Sequence, residues 1–126
     1  MRLLLDTHAF LWWRADSDQL GAVVREALLD DTNDIFVSAA VAWEIVIKRA
    51  LGRLEFSGSV ARAIEEEGFI ELPITSAHTD EVAALPTHHR DPFDRLLVAQ
   101  ARLESMTLAT RDAAIRTYDG FAVLPL

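Results

Sequence analysis

The chain has 126 residues, 51% of them hydrophobic and 25% charged, a composition typical of one globular domain rather than of a disordered chain. It contains no cysteine, which excludes disulfides and thiolate metal sites. Its net charge of −8 argues against a protein that grips nucleic acid by bulk electrostatics, but not against a nuclease whose acids bind cations. No apolar run approaches the roughly 18 residues of a spanning helix, and the short run before Asp6 does not resemble a secretory signal. We therefore expect a cytoplasmic protein with no membrane association.

Short apolar runs alternate with longer amphipathic ones, which predicts an α/β fold with a central, mainly parallel sheet flanked by helices. No linker, repeat or low-complexity tract interrupts the pattern, so residues 1–126 are predicted to form one domain. Strands are predicted at 2–5, 34–37, 70–74, 107–109 and 122–125. Helices are predicted at 8–14, 18–30, 39–51, 58–67, 76–84, 92–105 and 112–118.

Capping residues mark two of these helices. Ser38 can cap the helix at 39–51 and Gly52 can end it, while Asp91 is an N-cap followed by proline at the first helical position. Ligands of open parallel sheets collect beyond the carboxyl ends of the strands. We therefore expect a site where polar residues directly follow strands, namely at Asp6, Ser38, Thr110 and Asp112.

Asp6 has two interpretations. It follows three leucines, so it can serve as the N-cap of the short helix that follows it. It can equally be a metal ligand at the end of the first strand, with Thr7 orienting it or binding a bridging water. A carboxylate beside so much apolar sequence is costly unless a partner compensates it.

Glu44 also has two interpretations. It can form an ordinary surface ion pair with Lys48, four residues later on the same helix. However, Val41 and Ile47 flank it at helical spacing, so its side of the helix is more apolar than a solvated face. We favour a functional role, in which Lys48 neutralises Glu44 or contacts a phosphate.

Two further acids stand at predicted helix starts. Asp94 occupies the first turn after Asp91, where an acid interacts favourably with the helix dipole. However, Val98 lies one turn later on the same side of the helix, which makes that side apolar. We therefore expect Asp94 to face the protein or a cleft and to act as a ligand. Asp112 is an N-cap by default, and Arg111 beside it could bind a phosphate.

Four stretches of the chain together resemble the PIN-domain ribonucleases and, more narrowly, the VapC toxins of bacterial type II toxin–antitoxin pairs. The resemblance covers essentially the whole length, and its third stretch is the most distinctive. The stretches are LLDTH at 4–8, VSAAVAWEI at 37–45, DPFDRLLVAQA at 91–101 and LATRD at 108–112.

The resemblance implies that the catalytic, metal-binding acids are Asp6, Glu44, Asp94 and Asp112, with Asp6 and Asp94 closest to the metal. The family varies at the fourth position, for which Asp119 is a more distant substitute. Residues expected to support the site or contact the substrate are Thr7, Ser38, Lys48, Arg95 and Thr110.

Oxygen ligands without cysteine or histidine favour Mg²⁺ or Mn²⁺. The expected reaction is hydrolysis of an RNA phosphodiester by metal-activated water, leaving 5′-phosphate and 3′-hydroxyl ends, with one metal or two. The resemblance also implies a basic, VapB-like antitoxin that inserts into the acidic cleft. It further implies a homodimer, for which Trp12 and Trp13 are candidate interface residues.

Two other classes stay open from the sequence. One is a catalytically inactive PIN-like binding module. The other is a phosphoacceptor signalling domain, which also carries acids at strand ends. The second class needs a lysine after a late strand, whereas the only lysine, Lys48, lies in a predicted helix.

Overall fold

Five parallel strands form the centre of the computed structural model, which describes residues 1–87, 91–112, 115 and 118–126. The strand order in the sheet is β3-β2-β1-β4-β5. The predicted α/β fold with a parallel sheet is therefore confirmed. The strands are β1 (Arg2–Leu5), β2 (Asp34–Ser38), β3 (Ile70–Leu72), β4 (Thr107–Thr110) and β5 (Ala122–Pro125).

Helices connect the first four strands in the described part of the chain. No helix there is long and apolar enough to cross a membrane. The helices are α1 (Thr7–Arg14), α2 (Ala22–Leu29), α3 (Ala39–Ala50), α4 (Val60–Glu66), α5 (Ser76–Ala84) and α6 (Pro92–Glu104).

The central strand β1 owes its position to its sequence. Leu3, Leu4 and Leu5 are all fully buried, as expected for a parallel strand that is covered on both faces. β1 pairs with β2 on one side and with β4 on the other. The carboxyl ends of β1, β2 and β4 consequently meet at one edge of the sheet.

Local capping sets where the helices that follow this edge begin. The Ser38 hydroxyl accepts a 3.0 Å hydrogen bond from the amide of Ala40 at the start of α3. Asp91 accepts a 2.9 Å bond from the amide of Phe93 and precedes a proline at the start of α6. Both predicted caps are confirmed. Gly52, with a φ of +69°, follows the end of α3 as predicted.

Several predicted boundaries were wrong. α1 begins at Thr7 rather than at residue 8, because Asp6 is its N-cap. The helix predicted at 18–30 is shorter, since residues 15–20 turn back on α1 and Gly21 is the N-cap of α2. The strand predicted at 70–74 ends at Leu72, because Pro73 has no amide hydrogen to extend the ladder. Most of the helix predicted at 112–118 lies outside the described residues.

Candidate active site

A cavity of about 370 Å³ opens at the carboxyl edge of the sheet. Its acids come from four places in the chain: the end of β1, the middle of α3, the start of α6 and the segment after β4. We call it the acidic cavity. It is lined by Asp6, Thr7, His8, Glu44, Lys48, Asp91, Asp94, Arg111 and Asp112.

Asp6 acts as a helix cap and as a cavity wall at once. Its Oδ1 accepts a 2.8 Å hydrogen bond from the amide of Ala9, which satisfies the start of α1. Its side chain is nonetheless only 4% exposed, and this burial raises the pKa of Asp6 above its usual range. Hydrogen bonds from the Ala9 amide and the Thr110 side chain lower the pKa and offset part of that effect. The two interpretations of Asp6 are therefore compatible.

Glu44 is buried and held through both of its carboxylate oxygens. The Thr7 hydroxyl donates a 2.6 Å hydrogen bond to Oε1. The Lys48 ammonium lies 2.5 Å from Oε2, so the ion pair at i,i+4 is present. It differs from the ordinary surface pair, because Glu44 is 5% exposed while Lys48 remains 39% exposed. Thr7 therefore orients Glu44, whereas the sequence suggested that it would orient Asp6.

Asp91 and Asp94 share the first turn of α6. Asp91 accepts hydrogen bonds from the amides of Phe93 and Asp94, at 2.9 and 3.3 Å, so its capping role is clear. Its side chain also lines the acidic cavity, as does the half-buried Asp94. The sequence assigned capping to Asp91 and a ligand role to Asp94, and the structure brings both side chains to the same cavity.

Asp112 and Thr110 form the wall beyond β4. The amide of Asp112 donates a 3.1 Å hydrogen bond to the Thr110 hydroxyl oxygen. Thr110 is fully buried between this amide and the carboxylate of Asp6. It therefore joins the segments that carry Asp6 and Asp112, although it is not itself a cavity-lining residue.

Two residues expected to support the site lie away from the cavity. Ser38 is fully buried and donates a 2.6 Å hydrogen bond to the side chain of Gln100. The Arg95 guanidinium donates to the carbonyls of Val82 and Pro86, so it attaches α6 to the end of α5. Ser38 and Arg95 therefore stabilise the packing around the site and do not form part of the cavity surface.

His8 and Arg111 also line the cavity. The sequence suggested Arg111 as a phosphate-binding residue, whereas it gave His8 no role in the site. Burial lowers the pKa of the His8 imidazole, and the nearby Arg111 charge lowers it further. For His8 the available signal was position alone, since it lies two residues after Asp6.

The donor chemistry of the cavity suits a hard divalent cation. Carboxylate oxygens face a space wide enough for water, and Mg²⁺ typically binds through one or two carboxylates while keeping several waters. In the described ranges, no three acidic or histidine side chains converge closely enough to enclose an ion as they are placed. The arrangement therefore fits a hydrated ion better than a closed structural site.

Comparisons with known proteins identify a sequence relative and solved structures of similar fold. The ribonuclease VapC22 of Mycobacterium tuberculosis (strain ATCC 25618 / H37Rv) is 28% identical over 120 residues, which is 92% of this chain and 91% of that protein. The solved structure of VapBC2 from Rickettsia felis bound to a promoter DNA fragment has a similar fold. Its TM-score is 0.69 at 14% identity, and the match covers 100% of this chain and 99% of that one.

A second solved structure, DNA-bound VapBC from Salmonella typhimurium, matches with a TM-score of 0.67 at 12% identity and covers 99% of this chain and 98% of that one. At such identities these two likenesses concern the fold. The model of the PIN domain matches residues 3–120. Because that match spans nearly the whole sequence, the chain belongs to the PIN domain family.

Proposed function

We propose that this protein is a divalent-metal-dependent endoribonuclease and the toxin of a type II toxin–antitoxin pair. The observation that carries the proposal is the single cavity into which Asp6, Glu44, Asp94 and Asp112 are gathered from four separate segments. Membership of the PIN domain family and the similarity to a VapC ribonuclease support it.

Asp6, Glu44, Asp94 and Asp112 would hold Mg²⁺ or Mn²⁺ through carboxylate oxygens. A divalent cation bound there supplies a water of lowered pKa and offsets negative charge on the phosphate. The raised pKa of Asp6 is consistent with a carboxylate whose charge lacks compensation until a cation is bound.

The protein's own residues position this chemistry. Thr7 and Lys48 each hold one oxygen of Glu44, which fixes the direction of its carboxylate. The amide of Ala9 holds one oxygen of Asp6. Lys48 is partly exposed in the cavity, so its ammonium can contact a phosphate oxygen while it stays close to Glu44.

Hydrolysis with water as nucleophile does not use the RNA 2′-hydroxyl. We therefore expect products with 5′-phosphate and 3′-hydroxyl ends. Purified protein incubated with total RNA should cleave in Mg²⁺ or Mn²⁺ and not in EDTA. Asp6→Ala and Asp94→Asn should abolish cleavage, while Asp80→Asn should retain it, because Asp80 is exposed on α5 outside the cavity.

The same variants test the biological role. Induced expression of the wild type should arrest growth and create new 5′-phosphate ends in cellular RNA. Arrest that survives Asp6→Ala and Asp94→Asn would instead indicate a PIN-like binding module. Cleavage by these two variants in EDTA would reject the metal assignment.

The acidic cavity also suits a basic inhibitor, which we propose is an antitoxin segment carrying an arginine. Arginine presents a planar fork that matches carboxylate oxygens. A synthetic arginine-bearing peptide should inhibit cleavage more strongly than its glutamine version, and the difference should shrink at high salt.

A homodimer is the second proposed assembly. Trp12 and Trp13 are half-buried, whereas Trp43 and Val46 of α3 and Leu51 at its C-cap are exposed to solvent, with Trp43 59% exposed. Exposed large apolar side chains grouped on one helix suit an interface between two copies. Trp43→Glu should lower the molar mass measured by light scattering to that of a monomer. Leu29→Glu, at an exposed leucine on α2, should not.

A further inference from the structure

An aromatic and cationic group stands at the rim of the acidic cavity. The Cζ of Arg111 lies 5.4 Å from the centroid of the Trp12 ring. The His8 ring meets the same indole edge-on, with centroids 5.6 Å apart and an angle of 63° between the planes. We call these three residues the Trp12 platform. His8 and Arg111 both line the cavity, so the platform belongs to its wall.

The two basic side chains of the cavity are held in different ways. Lys48 lies 2.5 Å from Glu44, so a carboxylate of the protein already compensates its charge. Arg111 is exposed and rests over an indole, and it takes part in no ion pair among the described residues, although several acids line the same cavity. Contact with Trp12 therefore orients the guanidinium without neutralising it.

A guanidinium fixed in this way offers a flat surface as well as a charge. RNA-binding proteins recognise unpaired bases by stacking them on aromatic rings or on arginine planes. In a chain with a net charge of −8, bulk electrostatics cannot hold the substrate, so a local contact of this type matters more. His8 provides a second ring at the edge of the same indole.

We propose that Arg111, held in place by Trp12 and flanked by His8, forms a subsite for an unpaired nucleotide next to the scissile phosphate. The base stacks on the guanidinium plane while the guanidinium edge faces the RNA backbone. This inference rests on the proposed ribonuclease function. It deepens that function by assigning residues of this chain that contact the nucleotide beside the scissile phosphate; the base must be unpaired there, because a paired base cannot leave its stack without cost.

The test separates binding from cleavage. The affinity of a fluorescent single-stranded RNA oligonucleotide of mixed sequence is measured by anisotropy, with Ca²⁺ in place of Mg²⁺, and compared with the same strand in a duplex. Stacking of one base is worth roughly a 5- to 150-fold change in affinity. Arg111→Ala and Trp12→Ala should weaken single-strand binding by this factor, and duplex binding should be weak and unaffected.

One variant distinguishes the planar surface of Arg111 from its charge, and two others serve as controls. Arg111→Lys keeps the charge and loses the planar surface, so it should remain weakened. Arg62→Ala, which removes an exposed arginine on α4, should bind like the wild type. Trp12→Phe keeps a ring and should recover most of the affinity, which guards against a folding defect in Trp12→Ala.

Removal of a base from the substrate gives the sharpest readout. An abasic ribonucleotide at one flanking position should weaken binding to the wild type but have no further effect on Arg111→Ala. Equal penalties in both proteins, or full affinity in Arg111→Lys, would overturn the stacking subsite. Unchanged RNA binding by Arg111→Ala together with altered peptide inhibition would assign the platform to a protein partner instead.

Failure of the subsite and failure of the proposed function give different results. If the protein binds single strands through Arg111 but never cleaves, the nuclease assignment fails and the subsite stands. If cleavage depends on Asp6 and Asp94 but binding ignores Arg111 and Trp12, the subsite fails and the nuclease stands. A wild type that shows no preference for single strands over duplex also rejects the subsite.

Discussion

The hydroxyl of Thr7 donates a 2.6 Å hydrogen bond to Oε1 of Glu44, which joins the first residue of α1 to the middle of α3. Thr7 directly follows Asp6, so this bond connects the segments that carry two of the five acids that line the cavity. The other oxygen of Glu44 is 2.5 Å from Lys48. Because protein groups bind both of its oxygens, the buried Glu44 carboxylate has a fixed orientation. A catalytic site needs side chains that are oriented in this way.

The first prediction concerns that bond. Thr7→Val keeps the shape of the side chain and removes the donor, so one oxygen of a buried carboxylate loses its partner. We expect the free energy of unfolding to fall by about 1–3 kcal/mol in denaturant titrations, and RNA cleavage to decrease. Thr7→Ser keeps the hydroxyl and should retain most of both. Equal stability of the valine and serine variants would show that the bond contributes little.

The second prediction concerns Asp6, whose pKa is raised chiefly by burial from the ordinary value of 3.8. The folded protein then binds the Asp6 proton more tightly than the unfolded chain does. The contribution of Asp6 to stability is therefore fully present below pH 3.8 and is lost as the pH rises through the folded-state pKa. At neutral pH without metal, the ionised side chain should destabilise the fold.

Asp6→Asn keeps the capping oxygen and removes the charge. In EDTA we expect it to melt at a higher temperature than the wild type at pH 7, with the difference shrinking as the pH falls toward 3.8. Asp30→Asn is the matched control, because hydrogen bonds from Thr32 lower the pKa of that exposed carboxyl, and its replacement should not stabilise. A wild type more stable than Asp6→Asn at pH 7 would contradict the assigned burial effect.

The sequence was sufficient for the fold because the signals that determine it are local. Three successive leucines specify β1, and the caps at Ser38 and Asp91 specify where α3 and α6 begin. Predicted boundaries were wrong where a local turn or a missing amide hydrogen interrupts the hydrophobic pattern. Pro73 stops β3, and the turn after α1 shortens α2 because Ser17 bonds back to Trp12.

The site was predictable only in part. The sequence was enough to predict which acids at strand ends lie near the site, because parallel strands bring their carboxyl ends together. The hydrogen-bond partners of the site residues could not be predicted. Helical spacing does not show that the Thr7 hydroxyl reaches Glu44, or that Ser38 donates to Gln100 and does not face the cavity. The Trp12 platform depends on the approach of Arg111 to a residue 99 positions earlier, which no local pattern encodes.

The third prediction concerns the divalent cation. A ligand that binds only the folded state stabilises it by mass action, so Mg²⁺ or Mn²⁺ should raise the melting temperature of the wild type. Asp94→Asn should weaken this response, while Asp80→Asn should respond like the wild type because Asp80 lies outside the cavity. Thermal melts over a metal titration measure both. An undiminished response in Asp94→Asn would remove that residue from the proposed ligand set.

The fourth prediction concerns a buried polar chain behind the cavity. The Ser38 hydroxyl donates to Oε1 of Gln100 at 2.6 Å, and Nε2 of Gln100 donates to the carbonyl of Pro73 at 3.3 Å. The same nitrogen lies 3.3 Å from Nδ1 of His78, which accepts from the amide of Thr75 at 3.0 Å. Gln100 is fully buried and joins α6 to the start of α3 and to α5.

Gln100→Leu fills nearly the same volume but leaves the Ser38 hydroxyl and the Pro73 carbonyl without this partner. Ser38 is fully buried, and a buried group left unsatisfied costs about 1–3 kcal/mol, so unfolding in denaturant should show a loss of about that size. Gln19→Leu is the control, since Gln19 is exposed. Because Ser38 caps the helix that carries Glu44, the loss should be accompanied by weaker Mg²⁺ stabilisation. A destabilised Gln100→Leu with an unchanged metal response would show that the chain holds the helices together without positioning Glu44.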